Sequence, residues 1–375
     1  MKVLVIGGGI IGGAVAWRLA MEGSAVTIFE RGRIGLEASW AGAGMIAPQA
    51  EAHGPGPLLD ICLRGREAFD RNVDQLREKS GVDPEYDRAG ILYVALDNSE
   101  KTELEARALW QRQAGLGDEV EELDGDQARL IEPMLSPAVV YALHLPTNRR
   151  TENRKLTQAY INAAIRAGAE LREGVRVSEI VAHNTRASGV RLDDGSIHEA
   201  DVIVNAAGAW AGEIRGLEAD RVSIRPIRGQ IVCFQGRPAM IGPAIFSLRG
   251  YLVPRRDGRL LAGSTMEDVG FDKQVTMAGM GRIVDGANAL IPQLSSIAFR
   301  EAWAGFRPAT HDLLPVLGPS PSLPNVLYAA GHFRSGILLS ALTGEVIADL
   351  VKGRQPSLDL TPFSAARFTQ QGVAR

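Results

Sequence analysis

The chain has 375 residues, of which 45% are apolar and 23% charged, and its mean hydropathy is -0.02. That length predicts two or three domains with sizeable cores, and the composition excludes a disulfide-stapled miniprotein, a disordered chain and an integral membrane protein. With 41 basic against 44 acidic residues, a net charge of -3 and a pI near 6.1, a primary nucleic-acid role is disfavoured. Glycine is the outlier: its 42 residues are about 11% of the chain, against a usual value of roughly 7%.

The cysteines and histidines give no pattern typical of a disulfide framework or a metal site. Cys62 and Cys233 are the only two cysteines and form no CxxC, so a reducing cytoplasm is the expected location. The six histidines lack HxH or HExxH spacing, and we therefore expect no metal.

The N-terminal segment predicts a nucleotide-binding strand, turn and helix. Residues 3–6 form a short β-branched run typical of a buried parallel strand, and the GxGxxG pattern of Gly7, Gly9 and Gly12 follows it. In such a unit the helix, here predicted over 14–21, presents its N-terminal amides to a pyrophosphate that bare glycine backbone lets approach. The alternative is a glycine-rich turn without a ligand.

The second predicted strand, residues 24–29, ends at Glu30. Glu30 stands 18 positions after Gly12, which is close to the spacing expected for the carboxylate that binds a ribose 2′-hydroxyl. Because Arg31 could bind a phosphate, a cofactor with a 2′-phosphate on its ribose stays an alternative. The motif by itself does not choose between NAD and FAD. The small, glycine-rich residues 35–45 predict a loop along a large planar cofactor, with a flexible surface loop as the alternative.

The rest of the chain alternates helical and β-rich patterns. We predict helices over 58–79, 100–115, 124–131 and about 154–167, and strands over 91–95, 139–145, 169–171 and 175–177. Asp194-Gly195 predicts the turn of a hairpin over 190–197, a strand follows over 201–205, and residues 222–263 alternate as in an antiparallel sheet. A strand over 325–330 then enters the glycine turn of residues 331–336 and a helix over 338–350. Two nucleotide-type turns near opposite ends of the chain indicate a discontinuous cofactor domain.

Several stretches spread over nearly the whole chain carry a family resemblance: VIGGGIIGGAVAWRLA with FER, SWAGAGMIAPQAE, VNAAGAWA, GYLVPRRDGRLLAGSTMEDVGFD, WAGFRPATHDLLPVLG and GHFRSGILLSALTGE. Together they resemble the D-amino-acid oxidase family of FAD-dependent amine oxidases, and most closely its glycine oxidase branch, which is associated with thiamine thiazole synthesis. The last three are much more specific than GxGxxG.

The resemblance implies an α/β fold, α+β overall, with a discontinuous Rossmann-like FAD-binding domain and an inserted substrate domain built on an antiparallel sheet. We expect the FAD-binding domain to comprise residues 1–85, 146–218 and 306–375, and the substrate-binding domain residues 86–145 and 219–305. Residues 148–152 depart from the family pattern, in which a more acidic, aspartate-containing turn would be expected, so the crossover near residue 150 is left open.

The resemblance also implies noncovalent FAD, because no cysteine lies in the C-terminal region where sarcosine-oxidase relatives attach the flavin. Glu30 would bind the adenosine ribose, residues 39–45 would border the flavin, and the Val177 backbone would meet the adenine. The predicted cofactor-binding residues are Gly7, Gly9, Ile10, Ile11, Gly12, Glu30, Arg31, Ser39, Ala43, Gly44, Met45, Val177, Ala207, Gly208, Gly331, Arg334, Ser335, Gly336, Ile337 and Leu338.

Four residues are the catalytic candidates. Arg307 lies in an apolar, small-residue segment, and a planar guanidinium can clamp a substrate carboxylate through two bonds. By resemblance, Tyr251 supplies a second carboxylate contact, Arg334 contacts substrate or stabilises the reduced anionic flavin, and Met266 lines the pocket. The alternatives are a structural ion pair for Arg307, a half-buried strand aromatic for Tyr251, a brace of its turn for Arg334 and core filling for Met266.

The implied reaction is oxidative deamination of glycine and other small amines or D-amino acids. Hydride transfer from the α-carbon to flavin N5 gives an imine, which hydrolyses to a 2-oxo acid such as glyoxylate and ammonia, and oxygen becomes hydrogen peroxide. No catalytic base is needed for a neutral amine, so His332 is not assigned. The alternatives are a D-amino-acid dehydrogenase that reduces a quinone and a non-catalytic flavin-binding assembly protein. We expect a homotetramer or dimer, without nucleic-acid partner or membrane segment.

Overall fold

The computed structural model describes residues 1–370. Numbered in chain order, its strands β1 to β19 are Lys2–Ile6, Ala25–Glu30, Met45–Ile46, Ile91–Ala95, Glu121–Asp124, Tyr141–Leu145, Arg149–Arg150, Glu170–Glu173, Val177–His183, Arg186–Leu192, Ile197–Glu199, Val202–Asn205, Arg225–Gln235, Ala244–Ser247, Gly250–Pro254, Arg259–Gly263, Ala298–Ala309, Val316–Pro319 and Val326–Ala330. Its helices α1 to α10 are Ile10–Met21, Ala38–Ala41, Pro48–Glu51, Pro57–Ser80, Asn98–Gln111, Gly125–Ile131, Asn153–Arg166, Met277–Leu290, Gly336–Val351 and Ala366–Gln370.

A six-stranded sheet with the order β18-β19-β12-β1-β2-β8 forms the first layer, and its strands are parallel except for the edge strand β18. The apolar strands β1 and β19 are buried because α1, α7 and α9 cover one face and the three-stranded sheet β9 to β11 packs on the other. Helix α1 follows β1 directly, as the glycine pattern predicts. The predicted discontinuous Rossmann-like fold is confirmed.

An eight-stranded sheet with the order β17-β13-β16-β15-β14-β4-β6-β5 forms the second layer. Its pairings are antiparallel except that β14 runs parallel to β4. Its two long strands β13 and β17 pair along their whole lengths, with Ile227 opposite Arg307. The sequence predicts a domain boundary between positions 305 and 306. Strand β17 continues through both positions without a break.

Several elements differ from the sequence-based expectations. Helix α8 is not predicted because Gly279, Gly281 and Gly286 weaken its helical pattern, yet Thr276 caps it by accepting a hydrogen bond from the Gly279 amide at 3.1 Å. Residues 35–45 contain the one-turn helix α2 and the start of β3. The helix expected over 100–115 ends as an α-helix at Gln111.

Candidate active site

One cavity lies between the two large sheets. The six-stranded sheet contributes its N-terminal turn and Phe29, and the eight-stranded sheet contributes Gly229, Tyr251 and Arg307. Residues 35–39 and 41–45 form a third wall. The cavity therefore brings together segments that the sequence places near both ends and in the middle of the chain.

The N-terminal turn has the geometry of an anion cradle. Helix α1 begins after Gly9, which has no side chain to cap it, and the Ile10 amide of the first turn donates to Ser39 Oγ at 2.9 Å. A Cβ at Gly12 would lie 1.9 Å from the Gly7 carbonyl oxygen, so only glycine lets the helix pack this closely on the turn. The positive end of the helix dipole thus faces the cavity, as a pyrophosphate requires.

Glu30 lies at the end of β2 and lines the cavity. Its carboxylate accepts hydrogen bonds from the Gly8 amide at 2.8 Å and the Gly32 amide at 2.9 Å. The guanidinium of the neighbouring Arg31 lies 3.5 Å over the ring of Trp210. These contacts hold the Glu30 carboxylate beside the glycine turn, where a ribose hydroxyl would meet an acceptor.

The glycine-rich loop is held by backbone contacts. Gly44 has φ of +73°, and a Cβ there would lie 2.0 Å from the Thr151 carbonyl oxygen. The amide of Thr151 in turn donates a hydrogen bond to the Gly44 carbonyl oxygen at 2.8 Å. The buried Arg255 donates to Ala43 O at 3.0 Å and to Thr151 O at 2.9 Å. These bonds fix the loop against the rest of the protein and do not support a flexible surface loop.

Arg307 presents its guanidinium to the other end of the cavity. Nη2 donates to Ser264 Oγ at 2.7 Å and Nη1 donates to the Thr265 carbonyl oxygen at 3.1 Å. No carboxylate among residues 1–370 lies within 4 Å of this guanidinium, so the structural ion pair is not present there. Burial lowers the pKa of Arg307, with a smaller contribution from Arg334, and arginine still remains charged at neutral pH. A half-buried cation without a carboxylate partner is suited to binding a substrate carboxylate.

Tyr251 lies beside this arginine. Its hydroxyl contacts the Ser264 hydroxyl, which therefore connects it to Arg307, and burial raises the pKa of the phenol. A Cβ at Gly263, on the adjacent strand, would lie 2.6 Å from the Tyr251 hydroxyl oxygen, so the glycine leaves space for the ring. The phenol is therefore a neutral donor next to the cationic group.

Arg334 differs from Arg307 because it has an anionic partner. Its Nε lies 2.9 Å from Glu51 Oε2, and this carboxylate raises the pKa of Arg334. The Glu51 side chain is 9% exposed and that of Arg334 33%, and both line the cavity. Arg107 fixes the helix that carries Glu51 by donating to the Gln49 carbonyl oxygen at 2.9 Å.

His332 lines the cavity, and its imidazole is hydrogen-bonded to a neighbouring side chain. Its Nε2 lies 3.0 Å from Thr343 Oγ1, and burial lowers the pKa of the imidazole to about 3. A group that stays neutral and is hydrogen-bonded away from Arg307 has no evident role as a base.

The cavity gathers most of the predicted residues. Those that line it are Gly7, Gly9, Ile10, Ile11, Glu30, Arg31, Ser39, Ala43, Gly44, Met45, Val177, Ala207, Gly208, Tyr251, Arg307, Arg334, Gly336 and Ile337. The predicted residues that are not among the lining are Gly12, Met266, Gly331, Ser335 and Leu338. Met266 is 65% exposed, and the side chain of Leu338 packs in the core, while the prediction for Leu338 concerns its backbone amide.

The lining residues that the sequence reasoning missed include Glu51, Trp210, Gly229 and Ser264. Glu51 closes the SWAGAGMIAPQAE stretch and Ser264 belongs to the segment that begins at Gly250, so both lie within resembling motifs. A charged residue that ends an apolar loop was a signal that could have identified Glu51.

The arrangement fits an FAD molecule. A glycine-capped helix start, a carboxylate beside the glycine turn and a cavity that leads to a cationic end fit a pyrophosphate, a ribose and an anionic substrate in that order. The lining residues include no cysteine, and both Cys62 and Cys233 are buried elsewhere. Within residues 1–370, no group of three or more His, Cys, Asp and Glu side chains is placed to hold a metal ion.

Comparisons with known proteins extend over nearly the whole chain. The family described as FAD dependent oxidoreductase matches residues 2–350. The chain is 34% identical to a glycine oxidase of Geobacillus kaustophilus, covering 97% of this chain and 96% of that relative. It is 35% identical to a bifunctional protein ThiO/ThiG of Synechocystis sp., covering 98% of this chain and 54% of that longer relative. A crystal structure of the glycine oxidase from Geobacillus kaustophilus superposes with a TM-score of 0.92 at 33% identity, covering 98% and 99% of the two chains.

Proposed function

The chain belongs to the family of FAD-dependent oxidoreductases, and on that premise we propose that it catalyses oxidative deamination of glycine and other small amines or D-amino acids. The predictions of an FAD-dependent amine oxidase and of FAD as the cofactor are confirmed at the level of the family. The choice of amine and the roles of single residues remain proposals.

The observation that carries the proposal is the pairing of an anion-free Arg307 with Tyr251 at one end of the cofactor cavity. We propose that the guanidinium and the phenol bind the substrate carboxylate, since Ser264 holds both groups on one wall. Such a clamp fixes the orientation of the substrate α-carbon in the site. When bound, FAD supplies the two-electron oxidation.

The overall reaction balances with oxygen and water as co-reactants. The amine loses two electrons and two protons to give an imine, water hydrolyses the imine to a 2-oxo acid and ammonia, and oxygen becomes hydrogen peroxide. Because His332 is held neutral by burial and bonded to Thr343, no protein base is assigned, and the substrate amine reacts as the neutral form.

We propose noncovalent FAD, because both cysteines are buried and neither lines the cavity. The cofactor-binding residues are proposed to be the predicted ones that line the cavity, with Glu30 at the ribose. The proposed domain division keeps residues 86–145 and 219–305 for the substrate-binding domain. Among residues 1–370, no helix has the length and apolar character that crossing a bilayer needs.

Three further parts of the proposal concern the biosynthetic role, the cellular location and the oligomeric state. A role in thiamine thiazole synthesis is supported by the likeness to the protein named ThiO/ThiG. Cytoplasmic location is supported by two free, buried cysteines. A homo-oligomer, tetramer or dimer, is supported by family resemblance and is tested by light scattering of the purified protein.

The proposal is tested with purified protein. We expect a yellow protein whose visible flavin bands bleach on anaerobic addition of glycine and recover in air with formation of peroxide. Turnover that needs a quinone analogue would favour a D-amino-acid dehydrogenase instead. A colourless protein, or flavin bands unchanged by glycine, sarcosine and D-alanine, would favour the non-catalytic flavin-binding alternative.

A further inference from the structure

We propose that Glu51 is a specificity-determining residue that restricts the site to amines with a single carboxylate. This inference rests on the proposed function, because it concerns the substrate end of the same cavity. The inference is based on a difference between the two arginines at this end of the cavity. Arg334 forms an ion pair with Glu51, whereas Arg307 has no carboxylate partner.

The charged side chains that line this end of the cavity leave one cation without a carboxylate. Arg307 and Arg334 contribute two positive charges and Glu51 contributes one negative charge. Arg107 is a third cation near Glu51, but it does not line the cavity, and its guanidinium donates to the Gln49 and Ala52 carbonyl oxygens. His332 adds none because burial keeps it neutral. A small amine in its reactive form has a neutral nitrogen and one carboxylate, so its single negative charge matches the single unpaired cation.

A second substrate carboxylate has no free cation to meet. It would have to displace Glu51 from Arg334 or lie near the Glu51 carboxylate, where the two negative charges repel each other. Like-charge placement of this kind excludes wrong ligands more than it strengthens the right one.

Glu51 is held in this position by the fold. Its short helix is fixed by Arg107, which donates to the Gln49 carbonyl oxygen at 2.9 Å and to the Ala52 carbonyl oxygen at 2.6 Å. The Glu51 side chain, 9% exposed, therefore cannot easily turn to solvent when a ligand binds. The pair is a fixed part of the wall, and its carboxylate acts as a permanent counter-charge to Arg334.

The test compares ligands that differ by one carboxylate. Methoxyacetate and oxydiacetate carry an ether oxygen in place of the amine, and their dissociation constants are measured by titrating the visible flavin spectrum of the holoenzyme. We expect Glu51→Gln to shift the ratio of the two constants toward oxydiacetate by about tenfold or more. A Glu51→Ala variant tests the same loss of charge and replaces the first variant should that one fail to fold.

The matched control is Glu22→Gln, which removes a carboxylate from the Arg354–Glu22 pair outside the cavity lining. We expect this control to leave the ligand ratio unchanged. An unchanged ratio in both Glu51 variants, or an equal shift in the control, overturns the inference.

A turnover comparison separates the inference from the proposed function. Sarcosine and iminodiacetate are amines that can be oxidised, and they differ in the same way, since sarcosine carries one carboxylate and iminodiacetate carries two. We expect Glu51→Gln to raise kcat/KM for iminodiacetate relative to sarcosine. If the flavin of the wild-type protein is not reduced by any amine while the binding ratio still shifts, the proposed reaction fails and the role of Glu51 stands.

Discussion

The guanidinium of Arg307 lies directly against the backbone of Gly229. A Cβ at residue 229 would be 2.2 Å from Nη1 and 2.5 Å from Nη2 of that arginine. Gly229 lies on β13 and Arg307 on the paired strand β17, so the register of these two strands sets the contact. The glycine thus leaves the space in which the Arg307 guanidinium lies.

Gly229→Ala should displace the Arg307 guanidinium without removing it. The obstructed atoms are the far end of a flexible side chain, so the fold should tolerate the change, while a shift of about 1 Å in a positioning group can lower activity up to about 100-fold. We expect the KM for glycine to rise at least tenfold with little change in melting temperature. Gly279→Ala is the control, because its methyl group presses on Gln230 instead. Equal KM values for wild type and Gly229→Ala would contradict this geometry.

Arg307→Ala should raise the KM for glycine by about 100-fold or more, because truncation of a buried charge partner typically costs several kcal/mol. FAD content should stay normal, since the residue lies at the substrate end of the cavity. Steady-state kinetics and the flavin-to-protein absorbance ratio measure the two effects. Normal glycine affinity in the variant would remove the clamp assignment.

Gly9→Val should abolish retention of FAD. A Cβ at Gly9 already lies 3.1 Å from Ser39 Oγ, and the two further methyl groups would occupy the space above the start of α1 that a pyrophosphate needs. The measurement is bound flavin per protein after desalting. Gly281→Val is the control, because its Cβ would meet no atom within 4 Å on an exposed turn of helix α8. Full flavin content in Gly9→Val would place the pyrophosphate elsewhere.

His332 should make the fold less stable in acid. Burial lowers its pKa to about 3, so below about pH 6.5 the unfolded state binds a proton that the folded state does not. The stability is fully present above pH 6.5 and falls as the pH drops toward 3, by about 2 kcal/mol at pH 5.

His332→Gln keeps a side chain that can bond Thr343 but has no imidazole to titrate. Urea unfolding at pH 7.5 and 5.0 with saturating FAD should show a smaller loss of free energy in this variant than in wild type. His183→Gln, at an exposed position on β9, should behave as wild type. Equal losses in all three proteins would mean that His332 is not held neutral.

Local patterns were enough for the elements that surround the cofactor. The strand, glycine turn and helix of residues 2–21 form one continuous segment, so spacing and apolar periodicity predict both the structure and its use. Helix α8 was missed because its glycines oppose helical propensity, and packing of Ile283, Ala287 and Leu290 against the eight-stranded sheet overrides it.

Some features of the candidate site were likewise predictable from the sequence, and others were not. The sequence by itself determined the family, the fold class, the glycine turn before α1, and Arg307 and Tyr251 as a candidate pair, because motifs of neighbouring residues carry that information. Only the tertiary structure decided that Glu51 neutralises Arg334, that Ser264 joins Arg307 to Tyr251, that Gly229 leaves their space, and that Met266 lies outside. These relationships depend on strand register and on contacts between distant segments, which no local pattern contains.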